Sequence, residues 1–177
     1  MNGSKDLKTI IYFKGVYDTL DLFTDHLIEA FESMGYGTFV YHTANEEVCK
    51  KMLLRLLDES QEFAVVTFNN LGYNLSFEQP EAAEDEEKKP EEHNIWNYFH
   101  IPYIDILMDH PFHYEKPLCN MPETAVILCT DRNHVKYIRR FFKNIHRTDF
   151  LPHAGVELGH KHKPLNDRNI DVLYAGA

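Results

Sequence analysis

A carboxylate, two imidazoles and a phenol crowd into six residues, Asp109-His-Pro-Phe-His-Tyr114. These side chains move protons near neutral pH, accept a sugar hydroxyl or ligate a metal. They follow directly on an apolar run, residues 103–108, that reads as a buried β-strand, and Pro111 forces a turn inside the cluster. In an open α/β sheet, ligands bind just beyond the carboxyl ends of the strands. A strand that stops in such a cluster marks the expected site. Asp109 and His110 are its candidates for a catalytic base, and His113 and Tyr114 its candidates for ligand contact.

Three other stretches bear on the same chemistry. Leu151-Pro-His-Ala-Gly-Val156 puts His153 on a turn where Gly155 removes side-chain bulk, so that a ligand can approach closely. Asp131-Arg132 follows another apolar run; Arg132 can pair with Asp109, meet an anionic group or form a structural salt bridge. His160-Lys-His162 reads as a solvated linker. His110 and His113 have a spacing found in metal sites, but a zinc site needs further ligands that the sequence does not offer, and no metal is expected. No phosphate loop, dinucleotide glycine fingerprint or nucleophile elbow is present in the sequence.

The elements that must position these residues alternate in type. Apolar runs at 9–13, 38–43, 63–68, 103–108, 125–130, 150–151 and 170–174 read as strands. Between them, Asp18 can cap a helix that buries Leu20, Phe23, Leu27 and Phe31. Asn45 opens a second, with Val48, Met52, Leu53 and Leu56 on one face; 93–100 is a short helix carrying Trp96. Residues 134–144 form an amphipathic helix capped by Asp131 or Asn133, burying Val135, Ile138 and Phe142. Alternation of this kind predicts an α/β fold, a Rossmann-like, doubly wound and mostly parallel sheet with helices on both faces. The expected division is a Rossmann-like domain over 1–158, then a linker and the first strand of a second domain over 159–177.

Composition narrows the function. With 44% hydrophobic residues, 12 Phe and 10 Tyr among them, the 177-residue chain can build a sizeable core. No apolar run reaches the length of a membrane span, and the polar N-terminus lacks a signal-peptide core, so the expected location is the cytoplasm. Cys49, Cys119 and Cys129 are scattered and suggest no disulfide framework. Of the net charge of −10, six negative charges fall in 78–92, where eight acids face two lysines, and this segment reads as a flexible acidic loop. An acidic chain without a broad basic face is not expected to bind nucleic acid. A small basic cluster at Lys136, Arg139, Arg140 and Lys143 leaves room for a local anion contact.

Taken together and in order, Asp109-His-Pro-Phe-His-Tyr114, Asp131-Arg-Asn-His-Val-Lys-Tyr137 and Leu151-Pro-His-Ala-Gly155 resemble landmarks of bacterial N-terminal domains that precede glycosyltransferase-like modules. These belong to the spore-maturation CgeB-like group and its relatives of unknown function. The resemblance runs from about Thr9 to Ala177, and Asp171-Val-Leu-Tyr-Ala-Gly176 is similar to the strand and glycine turn that open the second half of GT-B transferases. It implies a GT-B-type enzyme of two Rossmann-like halves, this chain being the acceptor-side half and inactive alone. The acceptor would be a saccharide or a protein. The nucleotide-sugar donor would sit on the missing C-terminal domain, the chain's expected partner, and this half would carry no cofactor. A base near the interdomain cleft suits Asp109, His110 or His153.

Two readings compete with that one. A non-catalytic Rossmann-like binding or interaction module would use the acidic loop for a partner. A metal-dependent hydrolase would use Asp109, His110 and His113.

Overall fold

Strands that are apolar on both faces need cover on both faces, and parallel pairing through crossover helices supplies it. In a computed structural model, which describes residues 7–58, 62–78, 92–154 and 164–167, the chain does this. Six strands, β1 (Leu7–Lys14), β2 (Gly37–His42), β3 (Glu62–Phe68), β6 (Tyr103–Leu107), β7 (Ala125–Cys129) and β8 (Arg147–Phe150), form one sheet. Its order is β2-β1-β3-β6-β7-β8, and every neighbouring pair is parallel. A short antiparallel hairpin, β4 (Ser76–Glu78) with β5 (Glu92–Asn94), stands apart from it. The fold is the expected Rossmann-like α/β class.

Side chains alternate across each strand, so each face has its own cluster. Helix α1 (Asp18–Ser33) lies over Ile10, Tyr12, Val66, Phe68 and Ile106, contributing buried Leu20. The other face, centred on Ile11, Phe13, Val65, Tyr103, Leu107 and Ile127, takes the remaining helices. These are α2 (Glu46–Leu57), α3 (Ile95–Tyr98), α4 (Glu115–Cys119) and α5 (Arg132–Phe141), which bury Leu53, Trp96, Leu118 and Ile138 there. Strand order reverses at β1: the chain leaves it for β2 on one side and reaches β3 on the other. Loops diverge at such a switch point and leave a crevice beyond the carboxyl ends of β1 and β3. Among the described residues no helix is long and apolar enough to cross a membrane.

Several local expectations are corrected. On α2 the predicted Leu53 is buried and Leu56 half-buried, but Val48 and Met52 stay more than half exposed, and Leu57 with half-buried Cys49 completes the inward stripe instead. Apolar type alone could not choose between the two stripes. Asp18 is the first residue of α1 rather than its cap; Tyr17 precedes the helix, and Asp21 instead accepts the Gly15 N–H at 3.0 Å. The predicted helix at 93–100 shrinks to four residues because Glu92–Asn94 is drawn into the hairpin, and Asn94 then caps α3. The last described strand begins earlier than predicted, at Arg147, and Leu151 lies beyond it. The strand expected at 170–174, His160 and His162, and residues 79–91 of the acidic loop lie outside the described residues.

Among the described residues the most crowded glycine is Gly72, at φ +77°. A Cβ there would run into the ring of Phe13, and that ring is held between Tyr41 (centroids 5.0 Å apart) and Trp96 (6.0 Å, edge-on). Gly72→Ala therefore combines a left-handed backbone with overpacking, and should cost roughly 2–4 kcal/mol in urea unfolding. A change within about 0.5 kcal/mol, the range of an ordinary surface substitution, would contradict this account.

Candidate functional site

The site is built on the loop after β3. Asn69 and Asn70 both have positive φ (48° and 64°), a conformation that asparagine tolerates better than other side-chain-bearing residues. Four consecutive residues of this loop are tied down. The Asn69 N–H donates to the Ile106 carbonyl (3.2 Å), and its side-chain oxygen accepts the Met108 N–H (2.9 Å). The Asn70 N–H donates to Asp105 Oδ1 (2.7 Å). The Leu71 carbonyl accepts from the Tyr103 hydroxyl (2.6 Å), and that of Gly72 from Trp96 Nε1 (2.7 Å). Strand β6 thus supplies most of the anchors.

With its oxygen committed to Met108, the Asn69 side chain turns its amide outward and donates to Asp109 Oδ2 at 2.8 Å. The Tyr114 hydroxyl donates to the same oxygen at 3.0 Å. Partial burial, with the adjacent carboxylate, pushes the Tyr114 phenol well above its ordinary range, so it stays a donor. Asp109 itself is exposed. The result is a carboxylate fixed on one oxygen by two neutral donors and open to solvent.

His110 precedes a 3-10 turn, Pro111–Tyr114, with Pro111 at its start, where a missing N–H costs nothing. Its Nδ1 accepts the Phe112 N–H at 3.1 Å, so the neutral ring carries its proton on Nε2. Its ring stands edge-on to His134 (4.7 Å) and to Tyr137 (5.4 Å) of α5. Burial, then the neighbouring His110, lower the His134 pKa, with Asp131 opposing them.

The structure thus brings Asp109, His110 and Tyr114 together and separates the other predicted residues. His113 is exposed on the turn, packed against Phe112. Arg132 lies with its guanidinium 4.1 Å over the Phe150 ring, a cation–π contact in place of the suggested pairing with Asp109. Gly155 lies outside the described residues. His153 sits on the opposite side of β6, on the rim of a cavity of about 470 Å³. Its walls are Phe23 and Leu27 of α1, the ends of β3 and β6 at Phe68, Ile106 and Met108, and Leu151. Its polar members are His26, Thr130 and His153. Among the described residues no group of three or more His, Cys, Asp or Glu side chains is placed to hold a metal ion.

Sequence reasoning missed Asn69, Asn70, Asp105, His134 and Tyr137. Two signals were available: an Asn-Asn-x-Gly run directly after a strand, and an acid inside the apolar run Tyr-Ile-Asp-Ile-Leu. Asp105 is wholly buried, in register between Thr67 and Ile127. Burial pushes its carboxyl up to about 7, against the Asn70 N–H, which lowers it. Asp105 Oδ2, the Thr67 hydroxyl and both polar atoms of the Asn70 side chain have no hydrogen-bond partner among the described residues.

An acid whose pKa is raised by folding holds its proton more tightly in the folded chain. It therefore contributes stability below its unfolded value and loses that contribution as pH rises from near 3.8 to about 7, with no further change above. Asp105→Asn keeps an oxygen for the Asn70 N–H and removes the titration. Urea unfolding across this range should show a shallower decline with pH in the variant, which should match or exceed the native chain above about pH 7. Parallel profiles would refute the assignment. Comparison with protein-family models, with curated proteins and with solved structures finds no match, so the site itself must carry the functional reading.

Proposed function

We propose that this chain is the N-terminal, acceptor-side half of a GT-B-type glycosyltransferase-like protein, inactive without its donor half. The observation that carries this reading is the Asp109 carboxylate, held by Asn69 and Tyr114 beyond the carboxyl ends of a parallel sheet. One oxygen is immobilised and the side chain faces solvent, which suits a group that receives a proton from an incoming hydroxyl.

The tautomer of His110 divides the labour. With Nδ1 occupied by the Phe112 N–H, its free Nε2 is a donor, so His110 orients an acceptor oxygen and Asp109 takes the proton. His153, across β6, contacts the acceptor from the cavity side. The nucleotide sugar would be bound by a second α/β unit facing this edge of the sheet, as GT-B architecture implies. A non-catalytic binding module would use the same surface without the proton transfer.

The distinguishing experiment uses the protein joined to its donor half and follows sugar transfer from a nucleotide-sugar panel. Asp109→Asn should lower turnover about a hundredfold or more, the usual contribution of a general base, at an unchanged thermal midpoint. His110→Ala should raise KM more than it lowers kcat, as expected of an orienting donor. Full activity of Asp109→Asn would remove the transferase reading and leave the binding module.

A further inference from the structure

The cavity beside α1 has no role in the hydrogen-bond network around Asp109, yet the two share a wall. Met108 lines the cavity with its side chain, while its N–H is held by Asn69, the residue that also holds Asp109. Its carbonyl accepts from Thr130, another lining residue, at 3.4 Å. Asp109 lies on the other side of this shared residue, and the cavity's own polar lining is His26, Thr130 and His153.

We propose that this cavity is a binding site for a small amphipathic molecule, an aryl or short alkyl body carrying a hydroxylated head. The apolar body fits because the inner walls are aromatic and aliphatic: Phe23, Leu27, Phe68, Ile106 and Met108. The head is hydroxylated because the polar lining, the Thr130 hydroxyl with the His26 and His153 imidazoles, consists of hydrogen-bonding groups, and His26 faces the Glu29 carboxylate at 3.5 Å. An anionic head would meet that carboxylate unfavourably. At about 470 Å³ the cavity is the size of a single drug-sized ligand site, which spans about 300–1,000 Å³. A protein partner would instead need a broad face of about 800 Å². This hole is concave, walled by a helix, strand ends and the segment 151–154. That the molecule is the sugar acceptor rests on the proposed transferase reading; that the cavity binds it does not.

Calorimetric titration of the full 177-residue chain with methyl, butyl, hexyl and octyl β-D-glucopyranosides, below their micelle concentrations, tests the site. Affinity should rise about fourfold for each methylene buried and level off once the cavity is full, with no measurable binding of the methyl compound. Ala154→Trp places an indole at the mouth from an exposed position, and should weaken the octyl glucoside at least about tenfold without changing the thermal midpoint. Leu27→Trp fills the cavity from the helix side and should do the same, so the test survives if one variant folds poorly. Octyl glucoside binding that both variants leave intact would overturn the proposal. So would no binding of any member, which would mean that the protein itself or another partner occupies the space. Loss of turnover in Asp109→Asn with no glucoside binding would remove this site alone. Binding with full turnover in that variant would remove only the transferase reading.

Discussion

The fastening of residues 69–72 to strand β6 is the constraint on which the candidate site depends. Two adjacent asparagines with positive φ are an uncommon arrangement, and such strain persists only where the surroundings over-determine it. Here a main-chain carbonyl of Ile106, a main-chain N–H of Met108, the Asp105 carboxyl and the Tyr103 hydroxyl each hold one point of the loop. Trp96, fully buried on α3, holds the fourth residue. Were the loop free, the Asn69 amide would have no fixed direction, and the Asp109 carboxylate would lose one of its two donors. The polar geometry at the surface is thus set by buried groups a strand's width away.

That dependence explains why the core tolerates an acid. A carboxyl excluded from water favours its neutral form, so at Asp105 burial and the Asn70 hydrogen bond pull in opposite directions. Leucine at 105 would be easier to bury but would leave the Asn70 N–H without a partner, at a cost of about 1–3 kcal/mol, and would release the loop. A buried polar group here trades stability for a defined turn.

Much of the architecture was legible because strands buried on both faces advertise themselves as continuous apolar runs. Residues 63–68, 103–108 and 125–130 each became a central strand, and Asp131 capped the helix predicted after the last of them. What misled was phase within a helix: Leu53 turned inward as predicted, but Val48 and Met52 are as apolar as Cys49 and Leu57, and only tertiary packing decides which pair joins it. The hairpin at 92–94 was likewise invisible, since Glu-His-Asn has no strand character of its own and is ordered by pairing with Ser76–Glu78. At the site, the cluster 109–114 stood out by residue type, whereas Asn69 and Asp105 did not. Their roles come from register, Asp105 beside Thr67 and beneath Asn70, and register is a property of the folded sheet.

Strand β6 joins the two halves of the site for a geometric reason. Its residues alternate: Tyr103, Asp105 and Leu107 face the layer of α2 to α5, while Ile106, and Met108 just past the strand's end, face α1. The side chains of Tyr103 and Asp105 anchor Leu71 and Asn70 of the loop, while Ile106 and Met108 hold Asn69 through their main chains and wall the cavity with their side chains. A one-residue slip of β6 would exchange these faces, placing Asp105 in the apolar cavity and Ile106 under the loop. Register of this one strand therefore fixes both the polar and the apolar features at once. The pairing Val65–Tyr103 through Phe68–Ile106 on one side and Tyr103–Ala125 through Leu107–Cys129 on the other holds it there. Because both features hang on one register, they cannot drift apart by local change, and a ligand that used both would meet them at a constant separation.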